Sequence, residues 1–299
     1  MISVVIPLYN KRGTVARAIH SVLSQSFRDF EIVIVNDGST DNSVDEVERI
    51  SDPRIRLINQ ANAGVSAARN KGIEEARGEY VALLDADDEW DSEYLTTQMR
   101  LAEAYPQCDV FAVNYQFSDA NGKITDTIIR NLPFTSEHGV LSNYFEVAST
   151  SHPPMWTSAV MARKKAFLEI GGFPIGIKSG EDLLTWARLA CRYKIAYSRK
   201  VCATFNVEGY DVKEKPKRVP AEIDVVGEEL ERLAHDYNPR GINRYISHWH
   251  KMRSSIYLRL NMRKQSIKEA LTGLRFQPTN YKLLAFIALN LIPSKLRPF

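Results

Sequence analysis

Gly78-Glu-Tyr-Val-Ala-Leu-Leu-Asp85-Ala-Asp87-Asp88-Glu-Trp90 is a short apolar run that stops abruptly at a cluster of acids. Residues 80–84 have the length of a strand and show no polar alternation, the pattern of a strand covered by helices on both faces of a parallel sheet. Asp85 and Asp87 follow at a spacing of two. On a chain that stays extended both carboxylates point the same way, and paired hard oxygens suit Mn2+ or Mg2+ carrying a phosphate. The same acids also suit the N-cap and first turn of a following helix. The stretch alone leaves both readings open.

Upstream, residues 2–6 form a buried-strand run ended by Pro7, and a polar loop leads to a helix over 14–24 with Thr14 as its N-cap. Residues 31–36 read as a second strand, Asp37-Gly-Ser-Thr-Asp41 as a turn, 42–50 as a helix, 55–58 as a third strand and 65–76 as a helix stopped before Gly78. This β-α-β-α-β-α-β order predicts an α/β fold whose parallel sheet has right-handed crossovers. Ligands of such sheets bind at the carboxyl ends of the strands. Tyr9, Asn10, Asp37, Asp85 and Asp87 all lie just past such ends, so they are expected to line one crevice.

Downstream, a helix over 92–105 precedes a hairpin, 110–117 and 123–130, turning at Asp119-Ala-Asn-Gly122, so the sheet is expected to be mixed though mainly parallel. A strand over 155–161, a helix over 164–170 and another over 182–193 follow. Loop 173–180, with Pro174 and Gly176, is expected to be mobile. From residue 220 the chain reads as helices over 221–235, 243–261, 263–274 and 281–291. The expected organisation is a catalytic domain over 1–205, a linker or mobile loop over 206–219, and a basic helical extension over 220–299.

With 44% apolar and 25% charged residues among 299, disorder is excluded. The net charge of +3 hides an asymmetry: after residue 243 eleven Lys and Arg face one acid, Glu269, so the C-terminal part is expected to meet something anionic. Three cysteines without a C-x-x-C pattern indicate neither a disulfide framework nor a zinc site. A start without a basic, apolar leader adds to the expectation of a cytoplasmic protein.

Taken together, Val5-Ile-Pro7-Leu-Tyr9-Asn10, Val35-Asn-Asp37-Gly38-Ser39-Thr40-Asp41, Asn62-Ala-Gly64-Val-Ser-Ala-Ala-Arg69-Asn70, Asp85-Ala-Asp87 and Gly180-Glu181-Asp182 resemble, over about residues 1–205, the inverting glycosyltransferases of family 2 with the GT-A fold. The resemblance implies that Pro7, Tyr9, Asn10, Asp37 and Gly38 hold the nucleotide, that Arg69 lies near it, that Asp85 contacts its ribose and that Asp87 holds the metal. It makes Asp182 the general base and places Glu181 in the acceptor site. The chemistry agrees, because a tyrosine face stacks on a base and a carboxylate accepts an imide N–H. Plainer roles exist for each: Tyr9 as a packed loop aromatic, Asp37 as a turn residue, Arg69 as an exposed helix charge, and Glu181 and Asp182 as first-turn acids. Asp88 and Glu89 are expected to solvate the loop or cap the next helix. Two departures from the family's pattern stand out. Gly171-Gly-Phe-Pro-Ile175 lacks the acid of G-G-F-x-E, and Phe205-Asn206 stands where a histidine is common.

The implied activity is metal-dependent, inverting transfer of a hexosyl group from a UDP-sugar to a hydroxyl of a glycan or lipid-linked saccharide, in bacterial surface polysaccharide synthesis. The alternative is a catalytically idle nucleotide-binding or scaffolding subunit. A Rossmann dehydrogenase is disfavoured because no G-x-G-x-x-G follows the first strand. The run over 281–292 is too short to span a bilayer, but with Arg259, Arg263, Lys264, Lys268, Arg275, Lys295 and Arg297 it fits a peripheral anchor on the anionic inner face of the cell membrane. Packing on the catalytic domain and a homo-oligomer contact are the other readings. Nucleic acid is disfavoured because no recognised motif accompanies the charge.

Overall fold

The computed structural model describes residues 1–207, 216, 218–293 and 297. The chain divides into two compact units, residues 1–142 with 152–208 and residues 143–151 with 209–299.

In the first unit β1 (Ile2–Leu8), α1 (Val15–Leu23), β2 (Phe30–Asp37), α2 (Ser43–Glu48), β3 (Ile55–Gln60), α3 (Val65–Glu75) and β4 (Tyr80–Leu83) alternate as expected. β5 (Glu89–Trp90), α4 (Tyr94–Ala104), β6 (Val110–Asp119), β7 (Ile124–Asp126) and β8 (His138–Val140) follow. After α5 (Tyr144–Ala148), which groups with the second unit, come β9 (Val160–Arg163), α6 (Lys164–Glu169), α7 (Glu181–Arg192) and β10 (Ile195–Val207). The sheet runs β3-β2-β1-β4-β9-β6-β10-β5, with β7 on β6 and β8 on β10. β1 to β4 are mutually parallel, β9 runs against both β4 and β6, and β10 is parallel to β6. The sheet is therefore mixed and mainly parallel.

β1 and β2 are buried at every residue, which is why they read as unbroken apolar runs. α1 covers them with Val15, Ala18, Ile19 and Val22, one stripe at helical spacing. Thr14 stands at the N-cap of α1, yet its hydroxyl donates to the Lys11 carbonyl (3.4 Å) instead of accepting from the helix.

Several other elements differ from expectation: β5, β8 and α5 were not expected, and the second hairpin strand, expected over 123–130, spans only Ile124–Asp126. The strand expected over 155–161 is broken by a 3-10 turn at Thr157–Ala159, where Ser158 turns its polar groups toward the acid-rich loop after β4. β10 has no counterpart among the strands expected from sequence. Ser198-Arg199-Lys200 interrupts its apolar run, and the register with β6 shifts at that point. Of the segment expected as a linker, Asn206 and Val207 end β10, and residues 208–215 and 217 lie outside the described residues.

The second unit comprises α5, α8 (Val225–Tyr237), α9 (Ile242–Arg259), α10 (Arg263–Phe276) and α11 (Tyr281–Leu291). Asp224 caps α8 through the Gly227 N–H (3.0 Å). Ser254 and Ser266 exchange side-chain-to-backbone bonds (2.9 Å each) between α9 and α10.

Candidate active site

At the carboxyl end of β1 the chain leaves the sheet through buried Pro7 and then exposes Tyr9, 48% accessible. Asn10 takes a left-handed conformation (φ 52°) that lets it clasp the loop after β2. Its N–H donates to Ser39 Oγ (3.1 Å), and its Oδ1 accepts from the Thr40 N–H (2.8 Å). Gly38 has φ 72°, and a Cβ there would stand 3.0 Å from the Asn62 nitrogen, so glycine lets two loops approach. Asp37 is buried. Its Oδ1 accepts from Gln60 Nε2 (2.7 Å) and the Ala63 N–H (2.9 Å), and its Oδ2 from the Gly64 N–H (2.8 Å). The carboxylate thereby builds the turn that starts α3 and keeps one Oδ2 lone pair unused.

Beyond β4 the chain does not stay extended. The Asp88 N–H donates to the Asp85 carbonyl (3.0 Å), closing a turn. This corrects the expectation that Asp85 and Asp87 share one direction, and instead each carboxylate meets its own cation. Asp85 Oδ1 is 2.7 Å from Arg69 Nη2, while Asp87 Oδ2 is 2.5 Å from Lys11 Nζ. Arg17 Nη2 adds a bond to the Asp87 carbonyl (2.8 Å).

Asp88 is likewise neither a helix cap nor a solvated loop acid. It is wholly buried, accepting from Ser158 Oγ (2.5 Å) and the Asn206 N–H (3.1 Å), while Asn206 Nδ2 donates to the Asp87 carbonyl (2.9 Å). Burial and the neighbouring Asp85 push its carboxyl well above the usual range. Asn206 thus ties the acid turn to β10, at the position where the sequence departs from the family's histidine.

Arg69 is not an exposed helix charge. It is buried on α3, and its guanidinium lies over the Phe173 ring (5.1 Å) with Nη1 3.9 Å from Glu181 Oε1. Its Nε and Nη1 have no hydrogen-bond partner. Glu181 and Asp182 open α7 after Gly180, whose φ of 86° turns the chain into the helix. Asp182 Oδ1 accepts the Leu183 N–H (2.7 Å). Burial raises both acids. Asp182 adds to the shift of Glu181, while Arg69 pulls both back. Three acids from two loops therefore surround one buried guanidinium.

Beside them stands an aromatic wall. Tyr115, whose hydroxyl feels the Asp182 charge, stacks on Trp156 (5.7 Å), which meets Phe205 edge-on (4.8 Å), and Phe205 meets Phe117 (5.8 Å). His152 contacts Phe117 (5.4 Å) and accepts the Ile128 N–H on Nδ1 (2.9 Å), and burial keeps its ring neutral by lowering its pKa. Asn206 entered the sequence analysis only as a departure from the family's pattern, and Lys11, Arg17, Ser158 and Trp156 escaped it. Lys11, directly after Asn10, could have been noticed by adjacency, whereas the others carry no local signal.

Among the described residues, a cluster of three metal-type ligands occurs only at Asp224, His250 and Glu269 in the second unit. Arg253 Nε lies 3.2 Å from Asp224 and 2.9 Å from Glu269, so a protein cation already occupies that place.

A mixed sheet with paired acids and a buried arginine at the carboxyl ends of its parallel strands is the architecture of a GT-A-type glycosyltransferase. Residues 3–171 match the sequence model of Glycosyl transferase family 2, and the chain belongs to that family. It is 33% identical over 211 residues to an uncharacterised glycosyltransferase of Rickettsia felis, a match covering 70% of this chain and 33% of that protein. Several curated relatives are likewise spanned for only about a third of their length. TuaG of Bacillus subtilis, assigned by name to teichuronic acid biosynthesis, is 29% identical over 237 residues, covering 78% of this chain and 89% of TuaG. The fold is similar to that of S. aureus TarS 1-349 in complex with UDP-GlcNAc, with a TM-score of 0.68 at 18% identity over 97% of this chain and 88% of that one.

Proposed function

We propose that the chain moves a sugar from a UDP-sugar to a hydroxyl of a glycan or lipid-linked saccharide, with inversion, in bacterial surface polysaccharide synthesis. The observation that carries the reading is the buried Arg69 with Asp85, Glu181 and Asp182 around it. Family membership, the UDP-GlcNAc held by TarS and the name of TuaG support the donor and pathway classes.

In this reading Tyr9 stacks on the base, and Asp37 accepts the imide N–H on the Oδ2 lone pair its loop leaves unused. Pro7, Asn10 and Gly38 shape the base pocket, and Asp85 takes the ribose. The unpartnered Nη1 and Nε of Arg69 are aimed among the acids, where they stabilise negative charge. Asp182 takes the proton of the acceptor hydroxyl as its oxygen bonds to the anomeric carbon. The bond from that carbon to the diphosphate breaks on the opposite face, and Glu181 positions the acceptor. The Trp156, Phe117 and Phe205 faces suit the apolar side of an acceptor sugar ring.

Asp87 fits Mn2+ or Mg2+: its hard carboxylate oxygens are partly exposed and already draw a cation, the Lys11 ammonium. Such an ion would supply positive charge against the leaving diphosphate. The catalytic domain is assigned to about residues 1–205. A cytoplasmic, peripheral position at the membrane through the C-terminal helices completes the reading. No helix among the described residues is long and apolar enough to cross a membrane.

The test is release of UDP and transfer over a panel of UDP-sugars with Mn2+, using Asp182→Asn and Asp87→Ala. Loss of transfer in both variants, with circular dichroism unchanged, is expected. Full transfer by both folded variants would overturn the mechanism, and a wild type that binds UDP-sugars yet turns over none would favour a scaffolding subunit.

A further inference from the structure

α11 is built inside out. Its buried residues are Leu283 and Asn290, and Asn290 Nδ2 donates to Ser266 Oγ (2.9 Å) and the Phe286 carbonyl (2.8 Å). Tyr281 (71% exposed), Leu284 (52%), Ala288 and Leu291 (76%) recur at spacings of three, four and three, which places them on one outward stripe. A helix that has only water outside it exposes its polar residues and buries its leucines. Here Asn290 is inside, while Leu284 and Leu291 are outside.

At the head of that stripe stands a group of uncompensated cations. Lys282 follows Tyr281, and Asn280 Nδ2 pins the start of α11 to Ser247 Oγ on α9 (3.0 Å). α9 contributes Arg244, His248 and Lys251 at positions one turn apart. Lys251 Nζ lies 3.1 Å from His248 Nδ1, which is also 3.0 Å from the Ser149 carbonyl. Burial, with Lys282 and Arg244 nearby, pushes Lys251 down to about 8, and burial, with Lys251 beside it and then Lys282 and Arg244, pushes His248 down to about 4. Among the described residues no carboxylate pairs with Arg244, Lys251 or Lys282. The only acid after residue 243, Glu269, is consumed by His250 (2.7 Å) and Arg253 (2.9 Å). Arg263, Lys264, Lys268 and Arg275 on α10 are all exposed.

We propose that α11 lies on an anionic lipid surface, with its apolar stripe in the acyl boundary and Arg244, Lys251 and Lys282 taking a lipid phosphate. Charge complementarity selects this occupant. A second copy meeting this same face would set one unpaired cation group against another, whereas a phosphate-bearing surface neutralises that group. The proposal rests on the peripheral-membrane part of the reading above and is independent of the transfer chemistry.

Co-sedimentation of the full chain with vesicles of phosphatidylglycerol and phosphatidylcholine (1:1), and of phosphatidylcholine alone, tests it. Binding at least tenfold tighter to the anionic vesicles is expected, weakening at least tenfold between 0.1 and 0.5 M NaCl. Leu284→Glu with Leu291→Glu removes binding, and Lys251→Glu with Lys282→Glu removes the anionic preference, both with unchanged circular dichroism. If the second pair leaves the preference intact, the phosphate site falls while membrane binding stands. If the wild type binds neither vesicle, both fall. A dimer in analytical ultracentrifugation that Leu284→Glu with Leu291→Glu dissolves, without vesicle uptake, would assign the face to a second copy.

Discussion

Arg69 Nη2 lies 2.7 Å from Asp85 Oδ1, joining a buried helix residue to the acid turn at the end of the fourth strand. The same guanidinium faces Glu181 and is the chief cation near Asp182. It therefore holds three acids at one place and limits how far burial can neutralise them.

Arg69→Gln is expected to destabilise the protein by roughly 3 kcal/mol, the lower end for a broken buried pair because Asp85 keeps some solvent. Without the cation, Glu181 and Asp182 hold their protons to higher pH, so the acidic limb of the transfer rate moves upward. Urea unfolding and a pH–rate profile read the two effects separately. A variant with lowered activity but an unmoved limb would mean that Arg69 acts on the donor alone.

In the proposed mechanism Asp182 is the base, and it can take a proton only when deprotonated. Burial raises its pKa above that of an ordinary aspartate, and the Leu183 N–H and Arg69 offset only part of that rise. The rate is thus expected to fall, as pH drops, through a pKa above that of an ordinary aspartate. Asp182→Asn should lower turnover by about 10²–10⁴-fold, the usual contribution of a general base, while leaving UDP affinity nearly unchanged. An equal loss of UDP affinity would place Asp182 in the donor site instead.

The first four strands were legible because a parallel sheet buried on both faces writes itself as apolar runs separated by caps and turns. β10 was not, because Ser198-Arg199-Lys200 bulges out of the ladder and its pairing partners in β6 lie 85 to 88 residues earlier. The acid turn was half legible. Residue types announced charge at the sheet edge, but the partners that fix its shape, Ser158 and Asn206, come from 70 and 118 residues downstream of Asp88. For α11 the apolar composition was plain, while the choice of outward face depends on Asn290 finding Ser266.

Asp88 joins the acid turn to both Ser158 and Asn206, so its role is to position Asp87. Asp88→Asn keeps an acceptor for the Asn206 N–H, and the Ser158 hydroxyl can rotate to accept from the new amide. Asp88→Ala leaves the Ser158 O–H and the Asn206 N–H buried without an acceptor, at about 1–3 kcal/mol each, although Ser158 Oγ still accepts the Asp85 N–H. The alanine variant should therefore melt lower and need more Mn2+ for half-maximal transfer, with the asparagine variant restoring most of both. Equal melting temperatures for the two variants would show that these bonds do not hold the turn.

Glu31 lies buried on β2, where Ser3 Oγ (2.6 Å) and the Arg77 N–H (2.6 Å) donate to Oε1 and Arg56 Nη1 (3.1 Å) to Oε2. Burial alone would raise its pKa, but the bonds from Ser3, Arg77 and Arg56 outweigh it and leave the carboxyl below that of an ordinary glutamate. A folded pKa below the unfolded one gives stability that is fully present above the unfolded value and is lost as pH falls through the folded one. Glu31→Gln is expected to be less stable than the wild type at pH 6, with the difference shrinking toward pH 3 as the wild type protonates. Urea midpoints at both pH values measure this. A difference that stayed constant would mean that the packing of the side chain, and not its charge, supports the sheet at this point.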